Sequence, residues 1–77
     1  MMEVEKVKTL IEQGLTDATV EVSGDGRHFE ALVVSASFAG KPLIQRHRMV
    51  LDTVNSEIAS DELHALSIKT KTPEEVA

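Results

Sequence analysis

A chain of 77 residues with no cysteine has few ways to hold itself together. A domain of this size buries only about 60% of the surface its unfolded form exposes. Small domains commonly compensate with disulfides or a thiolate-bound metal. Both routes are closed here, so stability must come from apolar packing or from a partner. Phe29 and Phe38 are the only aromatic residues in an apolar fraction of 42%. That fraction is ordinary for a globular domain. The core is therefore expected to be aliphatic, and residues 1–77 to form one domain.

The hydrophobic periodicity sorts the chain into elements. Val4, Val7, Leu10, Ile11 and Leu15 fall on one helical face across residues 3–15. Glu3 and Glu5 suit its positive end, and Gly14 its close. Residues 18–22, Ala-Thr-Val-Glu-Val, alternate like a half-buried strand. Ser23-Gly24-Asp25-Gly26-Arg27 reads as a turn, and the apolar run from Phe29 to Phe38 as a second strand. Together they predict an antiparallel hairpin.

Gly40-Lys41-Pro42 ends that strand, with Pro42 placed for the first turn of a helix. Leu43, His47, Val50, Leu51, Val54 and Ile58 then form a continuous helical stripe. Ser60-Asp61-Glu62 reads as a capped turn and residues 64–70 as a third strand. Residues 71–77 read as a loose tail or the start of a short helix. The order is α-β-β-α-β, an α+β domain with a three-stranded sheet and helices on one face.

The net charge of −5 argues against general nucleic-acid affinity, which needs Lys and Arg to displace counterions. Lys41, Arg46 and Arg48 nevertheless lie close together, a basic patch on an acidic body that suits a specific partner better than a long polyanion. No apolar run approaches membrane-spanning length and no signal design opens the chain, so a cytosolic location is the default expectation. There is no cysteine nucleophile, nucleophile elbow or phosphate-binding glycine loop, and an independent enzyme is not expected.

Two segments carry a resemblance. Residues 38–50, Phe-Ala-Gly-Lys-Pro-Leu-Ile-Gln-Arg-His-Arg-Met-Val, resemble the signature of BolA proteins, and so does His64-Ala65-Leu66-Ser67-Ile68-Lys69-Thr70 followed by Thr72-Pro73. Residues 24–29, Gly-Asp-Gly-Arg-His-Phe, are similar to the family's variable loop between its first two strands. The resemblance spans the chain from the first helix to Pro73. Many members continue past the Thr-Pro-Glu-Glu stretch with a tryptophan and a basic tail, where this sequence has Val76-Ala77.

The resemblance implies a class II K-homology-like fold and a heterodimer with a monothiol glutaredoxin. In that heterodimer a 2Fe–2S cluster is shared, held on the partner's side by a cysteine and a bound glutathione thiolate. On this chain it implies His64 as one ligand and His28, from the variable loop, as the other. Imidazole in place of thiolate raises a cluster's reduction potential, and a protonated ring cannot coordinate. The plain alternatives are a strand-edge role for His64 and an exposed loop residue at His28.

His47 lies on the apolar stripe and reads as structural, with partner contact as the alternative. Lys41, Arg46 and Arg48 are candidates to bind glutathione carboxylates, an acidic partner surface or nucleic acid, since guanidinium matches planar carboxylates. The three histidines are too widely spaced for a structural zinc motif. Two imidazoles alone leave an iron site half built, which is what a cluster completed by a partner requires.

A competing expectation is a DNA-binding transcriptional regulator using the K-homology-like topology and the basic helix. Against it stand the acidic charge, the scarcity of stacking aromatics and the lack of a GXXG loop: Gly24 and Gly26 are one residue too close. DNA binding, if any, is expected to be weak. Self-association of the chain alone stays open.

Overall fold

The computed structural model describes residues 2–77. Helix α1 (Val4–Gly14) leads into strands β1 (Ala18–Gly24) and β2 (His28–Ser35). A 3-10 turn (Ala36–Phe38), helix α2 (Leu43–Thr53) and the short helix α3 (Asn55–Ala59) follow, then β3 (Ala65–Lys71) and one helical turn, α4 (Pro73–Val76). The sheet order is β1-β2-β3. β1 and β2 pair antiparallel, with Val20 opposite Val33, while β2 and β3 pair parallel, with Phe29 opposite Leu66. A parallel pair needs a crossover, and the segment from the 3-10 turn through α3 supplies it.

Strand alternation decides which face the helices cover. Val20, Phe29, Ala31 and Val33 point inward and are buried, while Thr19, Glu21, Glu30 and Lys69 stay exposed on the other face. α1 packs on β1 and on α2, and α2 packs on β3. Val7 and Ile11, four residues apart, turn the buried face of α1 inward, and Val50 and Val54 do the same for the second helical segment. The expected two-layer α+β architecture is the observed one.

Gly14 has a different job from the expected one. It remains helical, and a Cβ built on it would overlap the side chain of Thr53. A glycine is needed there because α1 and α2 approach closely, and α1 itself ends on Leu15, whose extended backbone donates to the Ile11 carbonyl.

Three boundaries differ from the periodicity. β2 ends at Ser35 and not at Phe38. The buried Ser35 hydroxyl donates to the Thr16 carbonyl and accepts the Ser37 amide, each at 3.1 Å, which turns the chain and carries Phe38 beneath the helices. The long stripe is also two helices. Val54 leaves helical geometry (φ −121°, ψ 18°), and its amide donates three residues back to Leu51. Nor is the stripe uniformly buried: Val50 and Val54 are buried, but Leu43 is 62% and Leu51 37% exposed within α2, and Ile58, beyond the break, is 38% exposed.

The third difference is at residues 71–77, which take the short-helix form of the two expected and not that of a loose tail. β3 runs through Lys71, and Thr72 caps α4 with a reciprocal box: its hydroxyl accepts the Glu75 amide at 3.2 Å, and the Glu75 carboxylate accepts the Thr72 amide at 2.7 Å. Among the described residues, no helix is long and apolar enough to cross a membrane.

Candidate functional site

The parallel register places the two candidate histidines. His28 opens β2 and sits opposite Ala65, the first residue of β3, so His64 immediately precedes the position paired with His28. Neighbouring strands run about 4.8 Å apart and one residue adds about 3.3 Å along the chain. Residues 36 positions apart in sequence thus share one end of the sheet, and both histidines are exposed. The buried Leu63 anchors the segment that delivers His64.

The hairpin turn builds the His28 side. Gly26 adopts φ 96°, which favours glycine, and lets the chain reverse within three residues. Asp25 closes the turn: its amide donates to the His28 carbonyl at 3.2 Å, and its Oδ1 accepts the amides of Arg27 and His28, each at 2.9 Å. The His28 and then the Arg27 amide hold the Asp25 carboxyl below the usual carboxylate range. Its second oxygen lies 3.8 Å from His28 Nδ1. The sequence marks Asp25 as a turn residue, an Asx-turn signal beside two glycines, but gives no sign of its place next to His28.

Among the described residues, no three His, Asp or Glu side chains gather as a metal-binding group. The donor set at this end is two neutral-capable imidazoles and no thiolate. That set fits a group whose remaining ligands come from another molecule, and it does not fit a self-sufficient metal centre.

The basic residues collect at the other end. α2 begins where β2 has finished, and α4 begins where β3 has finished, so Lys41 and the Arg46–Glu75 pair lie at the opposite end of the sheet from the histidines, while His47 and Arg48 follow along α2 as it runs back toward the start of β3. Arg46 is heavily engaged there. Its Nε donates to the Lys41 carbonyl at 2.9 Å, and its two terminal nitrogens donate to Glu75 at 2.8 and 3.5 Å. The guanidinium also lies 6.0 Å from the centre of the Phe38 ring. The Lys41 ammonium donates to the Ser37 carbonyl at 2.8 Å, His47 is half-buried, and Arg48 is exposed. The basic patch read from sequence is therefore largely an internal clasp, and the geometry does not bring it to the histidines.

Comparison with known proteins covers nearly the whole chain. The sequence model of the family described as "BolA-like protein" matches residues 5–75. The chain belongs to the BolA-like family. Among curated BolA-like relatives, the acid stress protein IbaG of Escherichia coli is 34% identical over 76 residues, covering 99% of this chain and 90% of IbaG. A solved bolA protein homologue from Coxiella burnetii superposes with a TM-score of 0.89 at 43% identity, covering 99% of this chain and 97% of that one. The BolA domain of SufE1 from Arabidopsis thaliana gives 0.80 at 34% identity, covering 94% and 93%. The BolA-like fold expected from residues 38–50 and 64–73 is thereby established.

Proposed function

We propose that this BolA-like chain is an adaptor that pairs with a monothiol glutaredoxin and shares a 2Fe–2S cluster with it, in iron–sulfur trafficking or iron regulation. The observation that carries the reading is the parallel register that brings His28 and His64 to the same exposed end of the sheet, with His64 one residue before the position paired with His28. His64 is fixed by the buried Leu63 before it and by β3 after it, and His28 by the hairpin turn. Each imidazole offers one neutral nitrogen lone pair. The glutaredoxin cysteine and its glutathione thiolate complete the set and neutralise the iron charge. The cluster, when bound, supplies one-electron chemistry and the visible absorption by which it is followed. Association and cluster binding then stabilise each other by mass action.

The rival reading, DNA binding through the basic helix, loses support from the clasp, because Arg46 and Lys41 already hold partners within the chain.

The test is to mix the purified chain with a monothiol glutaredoxin, glutathione, iron and sulfide, and to record the visible spectrum and elution volume. A heterodimer is expected whose cluster spectrum changes on His64→Ala, with a loss in cluster affinity of more than the roughly 10–100-fold that disturbing a residue behind a ligand costs. No co-elution, or a spectrum indifferent to His64→Ala, defeats the reading.

A further inference from the structure

Asp25 makes more contacts to one neighbouring residue than a loop carboxylate needs to close a turn. Its amide and Oδ1 both bond the His28 backbone, at 3.2 and 2.9 Å, so the Cα of His28 is gripped from two sides. With Oδ1 committed to the Arg27 and His28 amides, the carboxylate plane is set and Oδ2 is left facing Nδ1 of the same histidine at 3.8 Å. That separation is longer than a hydrogen bond and within ion-pair range. A small rotation of an exposed ring closes it.

We propose that Asp25 is a positioning residue for His28: it fixes the backbone that carries the ring and selects the tautomer with the proton on Nδ1, so that the Nε2 lone pair faces outward as the donor atom. The purpose assigned to that tautomer rests on the cluster reading above; the tautomer itself does not. An unconstrained imidazole favours the proton on Nε2, which would point a hydrogen and not a lone pair at an incoming metal. A carboxylate beside Nδ1 reverses this preference, the arrangement by which second carboxylates commonly orient ligating histidines.

The experiment uses the whole chain without metal. Nitrogen-15 NMR in mildly alkaline buffer, where imidazole is neutral, reports the tautomer of each histidine from its two ring nitrogens. Unaltered protein is expected to show His28 mainly with Nδ1 protonated, while exposed His64 serves as the internal comparison. Asp25→Asn keeps an oxygen to accept the Arg27 and His28 amides but turns an NH₂ toward Nδ1. It is expected to shift the tautomer ratio of His28 toward Nε2–H by about threefold, a size suited to an exposed contact. The His28 amide shift shows whether the turn is retained in the variant.

A His28 that is mainly Nε2–H in unaltered protein overturns the proposal whatever the variant does. So does a ratio unmoved by Asp25→Asn with the turn intact. In the glutaredoxin complex, Asp25→Asn is expected to weaken cluster retention without preventing association. If instead His28→Ala leaves the cluster spectrum unchanged while the tautomer result holds, the cluster reading fails at His28 and the positioning role of Asp25 stands.

Discussion

At the scale of single residues, the interior carries one discordant atom among the described residues. Thr70 is 5% exposed on the inner face of β3, opposite Val33, and its hydroxyl has no hydrogen-bond partner among those residues. Burying a hydroxyl without a partner costs about 1–3 kcal/mol, and valine has nearly the same shape. Thr70→Val is expected to stabilise the domain by about 1 kcal/mol, read as a higher urea midpoint with unchanged slope. An unchanged or lowered midpoint would show that the hydroxyl is satisfied. For a chain of 77 residues, whose total stability is on the order of 4–12 kcal/mol, such a gain is easily measured. Sequence alone could not have flagged this residue, because a threonine in an alternating strand is unremarkable until its neighbours are known.

Among the elements, α4 has the most explicit electrostatic anchor. The Arg46 guanidinium, and after it the Thr72 amide, hold the Glu75 carboxyl below its ordinary range. A carboxyl lowered on folding stabilises the fold fully above its ordinary value and ceases to do so as the pH falls through the lowered one. α4 is therefore expected to loosen in acid before the sheet does. The Thr72 amide resonance, which reports its 2.7 Å bond to Glu75, should shift with that titration, and Glu75→Gln should abolish the dependence. A Thr72 amide shift that stays flat across the acid range would contradict this. The cap was written in the sequence as Thr72-Pro73-Glu74-Glu75, a capping box with proline at its first position, but hydrophobic periodicity does not see four-residue signals. The same blindness joined α2 to α3 and ran β2 on to Phe38. In each case apolar spacing gave the element and a local polar or backbone event set its end. Helix α1, the hairpin and the α-β-β-α-β order were legible because their periods are long enough to read, whereas the parallel pairing of β2 with β3 has no signal in the apolar spacing. At the site, residues 28 and 64 came from resemblance and Asp25 was legible as a turn residue, whereas its approach to the His28 ring and the engagement of Arg46 are contacts that only coordinates supply.

For the molecule as a whole, the decisive fact is that the sheet has two differently equipped ends. The histidines stand at the start of β2 and β3; the Arg46 clasp stands where those strands finish, and exposed Arg48 lies beyond it on α2. Sites separated by more than about 10 Å with no shared partners act additively. Arg48→Ala should therefore leave the visible spectrum of the glutaredoxin complex unchanged, and the stability changes of Arg48→Ala and His64→Ala should sum within about 0.5 kcal/mol in the double variant. Coupling beyond that would mean the ends communicate through the crossover.

The parallel pairing of β2 with β3 also has a consequence for the order in which the protein acquires its chemistry. During synthesis the hairpin imidazole emerges early, while its companion arrives only with the strand that completes the sheet. On the proposed cluster-sharing reading, a partly made or partly unfolded chain lacks the paired end of the sheet, so competence to receive a cluster would itself certify that the chain has finished folding.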